Sequence, residues 1–162
     1  MDDLEQDLFL KLDAWFSGLC RQFESYCLYY LKANAEKNVI LKILSESSPF
    51  EELSSERRIV ETILLEFNNA EKIKERVLET QKNTGYSFHD ERYLFADMDS
   101  TEENDLPHIP LVIRTLTLKM ETLEDLLKDY EECFLEIRKL ISDFWEITEL
   151  KQNGVPNNFV SK

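Results

Sequence analysis

The sequence predicts an all-α protein: three long helices with coiled-coil-like heptad seams, forming an elongated bundle either alone or with partner helices. Apolar residues recur at alternating steps of three and four over most of the chain. Glycine and proline are sparse, three and four among 162 residues, and between Met1 and Gly85 only Gly18 and Pro49 occur, too few to punctuate hairpins. The 43% hydrophobic content suffices for a buried core in a chain of single-domain length.

The first helix is expected from about residue 4 to 46. Its seam runs Phe9, Leu12, Phe16, Leu19, Phe23, Tyr26, Tyr30, Ala33, breaks at Lys37, and resumes at Ile40 and Leu44. Leu8, Trp15 and Tyr29 widen one flank and Cys20, Cys27 and Leu41 the other, so this helix needs more than one partner surface. At 1.5 Å per residue it would extend roughly 65 Å.

A second helix is expected over 49–82. Ser48, Pro49 and Glu51 supply an N-cap serine, a first-turn proline and a capping-box acid. The seam Val60, Ile63, Phe67, Ala70, Lys74, Val77 fades after Gln81 into Asn83-Thr84-Gly85, which reads as a helix stop. Glu71, Glu75 and Glu79 place like charges four apart, so packing must hold this helix. Helices 4–46 and 49–82 would form a hairpin over 1–82.

Residues 83–109 then read as an acidic connector. Tyr86, Phe88, Tyr93, Leu94 and Phe95 could form a short helix or an apolar strap there, and Asp97 to Asp105 a solvated loop. The third helix, 110–151, has the most regular seam: Ile113, Leu116, Met120, Leu123, Leu127, Tyr130, Phe134, Ile137, Ile141, Phe144. Leu126, Cys133, Leu140 and Ile147 add a second apolar column, a width suited to three or more helices. Residues 152–162 read as a flexible tail beginning before Gly154 and Pro156.

Thirty-three acidic against nineteen basic residues give a net charge of −14, a field that repels phosphate backbones and anionic membrane surfaces. Thr84 to Ile109 alone holds seven acidic and one basic residue. Three cysteines with no C-x-x-C pair suit reduced thiols in an intracellular protein, cytoplasmic or nuclear. Met1 to Asp7 is acidic where a leader would be basic, and no apolar run reaches the roughly 18 residues of a membrane span.

The search for chemistry yields no catalytic, cofactor-binding or metal-binding residue and no small-molecule substrate. His89 and His108 both fall in the connector, outside any helical metal-ligand spacing. Asp97-x-Asp99-x-Thr101 opens like a calcium loop, but Glu102 stands where glycine is needed and His108 where a bidentate glutamate is needed. Ser48, Ser100 and Thr101 sit in contexts a kinase could recognise, with the N-cap role stronger for Ser48.

The expected function is therefore that of a non-catalytic scaffold or adaptor, a subunit of a larger multiprotein assembly binding helical subunits of a hetero-oligomer through apolar heptad faces. No direct nucleic-acid contact and no membrane insertion are expected. Aromatic anchors dominate interfaces, which nominates Trp15 and Tyr29, with Leu8, Leu126, Leu140 and Ile147 beside them. The alternative is a stand-alone acidic bundle that chaperones or docks a basic protein through Asp97, Asp99, Glu102, Glu103 and Asp105. Salt separates the two, since connector binding would collapse with ionic strength and seam binding would persist.

Overall fold

The computed structural model describes residues 3–46, 54–96 and 109–152, with side chains described for these except at 91–96 and 150–152. Three α-helices account for them: α1 (Asp3–Glu46), α2 (Ser54–Ala96) and α3 (Ile109–Gln152), and no strand occurs among the described residues. The three helices pack against one another as a three-helix bundle. Asp3 and Glu5 in the first turn of α1 complement the positive end of its dipole. Pro110 lies in the first turn of α3, where its missing N–H would have had no intrahelical partner.

The chain divides into two contact units, and every helix contributes a stretch to each. The first comprises Met1–Ser25 and Ile73–Asp129. Here the start of α1 packs on the end of α2 and the start of α3. Phe9 and Phe16 both meet Phe88, at ring-centroid distances of 5.8 and 5.1 Å. Leu116, Met120, Leu123 and Leu127 of α3 fill the core beside them, all buried. Lys119 donates to the Ser87 hydroxyl and the Trp15 indole N–H to Glu124 Oε2 (3.1 Å), which fastens α3 to both neighbours.

The second unit comprises Tyr26–Lys72 and Tyr130–Lys162. An aromatic cluster organises it. Tyr30 meets Phe67 at 5.6 Å and Phe134 at 6.1 Å, Tyr26 meets Tyr130 at 6.2 Å, and Tyr130 meets Phe134 at 4.7 Å. These are tilted or edge-on pairs, the arrangements favoured by the ring quadrupole. Ile40, Ile63, Ile137 and Phe144 continue the core. Lys37, the break in the α1 seam, stands with its ammonium 4.9 Å from the centroid of the Phe67 ring. A cation over an aromatic face is stabilised there, so the position is polar without being unpartnered.

The α2 boundary departs from expectation. Instead of ending at 82, the helix runs through Asn83, Thr84 and Gly85 to Ala96, and much of the expected connector 83–109 is helical. Its packing supplies the reason. Thr84 and Phe88 are 1% and 2% exposed, and the Phe16 ring lies over Gly85, with Cζ 3.6 Å from where a Cβ would stand. Tertiary burial there outweighs the local cost of a helical glycine, roughly 1 kcal/mol. The expected start at Ser48-Pro49 and the tail from 153 lie outside the described residues.

Candidate protein-binding surface

The expected anchor residues have different fates. Tyr29 is 60% exposed and Leu8 39% exposed, both on α1. Trp15 is half-buried, and its N–H is committed to Glu124. Leu126 is corrected: at 4% exposure it belongs to the protein's own core, because the chain's own packing already covers that part of the apolar stripe of α3. Leu140 and Ile147 of the same column are half-buried. Asp97, Asp99, Glu102, Glu103 and Asp105, together with His108, Ser48, Ser100 and Thr101, lie outside the described residues. His89 is on the surface of α2, not in a connector.

In the second unit a groove of about 540 Å³ runs between α1 and α3. Tyr26, Ala33, Phe134 and Ile141, all buried, form its floor. Tyr29 on α1 and Leu135 on α3, 60% and 54% exposed, stand on opposite rims. Lys32, Glu36, Glu131 and Arg138 alternate in sign around them. Ala33 is the smallest residue in the floor. An apolar floor with large exposed rim residues and a mixed-charge border has the composition of an interface.

Sequence reasoning missed a second apolar feature on α1. Leu28, Leu31 and Val39 are 67%, 62% and 51% exposed, and Ala35 between them is exposed too. Their spacing of i, i+3, i+7 and i+11 places them on one helix face, away from the seam that meets α2 and α3. The signal was present in the sequence but lay off the seam and its flanks.

Two tyrosine hydroxyls facing the bundle fasten its helices together. Tyr26 donates its hydroxyl hydrogen to Glu131 of α3, and Tyr30 donates to Glu71 of α2. Burial pushes the Tyr30 phenol up to about 12, reinforced by the bond to Glu71 and by that carboxylate's charge. Tyr130 is raised further, first by burial and then by its neighbours Cys27, Tyr30, Glu71 and Cys133. At neutral pH Tyr30 and Tyr130 are therefore protonated, and Tyr30 donates. In the first unit, Cys20 has its thiol pushed up by burial and by Glu24, partly opposed by Arg21. That direction keeps it a thiol rather than the reactive thiolate.

Among the described residues, no group of three or more His, Cys, Asp or Glu side chains is placed to hold a metal ion, and no helix is long and apolar enough to cross a membrane. No family model, curated protein or solved structure matches the chain.

Proposed function

We propose that the protein is a non-catalytic helical scaffold or adaptor, an intracellular subunit of a larger multiprotein assembly, and that it binds partner helices in coiled-coil fashion. The supporting observation is the groove between α1 and α3 of the second unit, with Tyr29 and Leu135 exposed above a buried apolar floor. Large apolar side chains left in water across such a groove gain free energy when a further helix covers them. Tyrosine suits this position, because its ring gives contact area while its hydroxyl tolerates water in the free subunit.

The test uses tagged full-length protein recovered from its native source, beside a Tyr29→Ala/Leu135→Ala variant. Both side chains are exposed, so the variant should keep its helix content and melting midpoint. The expected result is one or more proteins that co-purify with the parent and are reduced roughly tenfold or more with the variant. Recovery of the parent as an isolated monomer, or equal partner recovery with both proteins, overturns the reading. Trp15 is left intact because its loss would also remove the bond to Glu124.

A further inference from the structure

Leu28, Leu31, Ala35 and Val39 lie on the face of α1 turned away from the bundle seam, and charged residues continue that face at both ends. Toward the N-terminus come Glu24 and Arg21, toward the C-terminus Lys42 and Glu46, all exposed. Lys32 and Glu36, exposed as well, flank the stripe on one side. Along the helix the face therefore reads plus, minus, apolar stripe, plus, minus, and reading it backwards exchanges every sign. From this order we propose that the face binds a second copy of the chain, α1 against α1 in antiparallel sense, about a two-fold axis at the level of Ala33 and Asn34. The inference goes beyond the scaffold reading and does not depend on it.

An antiparallel copy centred there sets Leu28 against Val39, Leu31 against Ala35, Glu24 against Lys42 and Arg21 against Glu46, each pair level to within about 1.5 Å, one residue's rise. The two-fold axis makes every pair twice. Lys32 and Glu36 also come together, because such an axis keeps each flank of the stripe on its own side. Apolar thus meets apolar and cation meets anion along roughly 37 Å of helix. Leu28, Leu31 and Val39 leave water in both copies at once, which supplies the driving force. The charges select the alignment more than they add affinity, since Lys32 and Lys42 also stand four residues from Glu36 and Glu46 of their own helix. A parallel copy in register would oppose each charge to its own kind. The net charge of −14 resists self-association, but at physiological ionic strength the Debye length is about 8 Å, so charges away from the contact are screened. An anionic membrane would meet Glu24, Glu36 and Glu46 along with the three cations, and gains nothing from the order of signs.

Sedimentation equilibrium of the full-length protein at about 0.15 M ionic strength should show a mass that rises with concentration from one chain toward two. Leu28→Ser/Val39→Ser should weaken the dimer at least roughly tenfold with unchanged circular dichroism. Lys42→Glu should weaken it roughly fivefold, by setting that position against Glu24 of the other copy twice over. Glu24→Lys/Lys42→Glu exchanges the pair at unchanged net charge and should restore the parental affinity. An equimolar mixture of Glu24→Lys with Lys42→Glu should likewise dimerise more tightly than either variant alone. A protein that stays monomeric up to about 1 mM, a dimer that the serine variant leaves intact, or an exchanged pair that does not recover overturns the proposal. So does a dimer lost with Tyr29→Ala/Leu135→Ala but kept by the serine variant, because the contact would then be the groove. A monomer whose serine variant loses a different co-purifying protein, or loses phosphatidylserine vesicles, overturns it as well. A monomeric parent whose natural partners are still lost with Tyr29→Ala/Leu135→Ala rejects this inference alone and leaves the scaffold reading standing.

Discussion

Thr84 carries a hydroxyl into the core of the first unit, 1% exposed and without a hydrogen-bond partner. A buried hydroxyl that lost water and gained nothing is a net cost, and valine has nearly the same shape. Thr84→Val should raise stability by about 1 kcal/mol, seen as a higher urea midpoint at unchanged slope. A drop would mean that the hydroxyl does bonding work in solution. Tyr30 makes the opposite case, a hydroxyl whose proton is held in place. Its ordinary value is 10.0 and its folded value about 12, so the contribution is complete below pH 10 and is lost as pH rises through 12. Alkaline titration followed by tyrosinate absorbance and circular dichroism should show that loss, and Tyr30→Phe should make it shallower in the same window. An unchanged slope would remove Tyr30 as its source.

At the level of the helix, both described glycines are helical, and neither needs glycine's conformational freedom. A Cβ on Gly18 would meet nothing within 4 Å, and one on Gly85 would touch the Phe16 ring at ordinary van der Waals distance. Gly18→Ala and Gly85→Ala should each stabilise by roughly 0.5–1 kcal/mol through helix propensity, measured as a rise in thermal or urea midpoint. Destabilisation by Gly85→Ala would mean that Phe16 cannot yield even slightly. Helices α1 and α3 were legible because their seams are apolar almost throughout. The end of α2 was hidden by composition. The three-four alternation in fact continues from Val77 through Gln81 and Thr84 to Phe88, but two polar members and a glycine imitate a stop. What decides is Phe88 inserting beside Phe9 and Phe16, a contact between residues more than seventy positions apart.

Across the molecule, the sequence gives good warning of three helices and less warning of which apolar residues remain outside. Periodicity identifies faces that want cover, but it does not say which cover is already supplied. Leu126 and Tyr29 looked equivalent as flank residues, yet one is enclosed by its own chain and the other stands in water. Only the packed arrangement separates the residues that close the bundle from those left in water.

The ammonium of Lys37 above Phe67 also guards against slippage of the first helix along the second. Displacement by one heptad would carry that cation toward Val60 in one direction or Lys74 in the other, a buried aliphatic site or a like charge. A seam built wholly of leucine and phenylalanine would tolerate several alignments of nearly equal energy. One charged side chain held over an aromatic ring favours the alignment that keeps the two together.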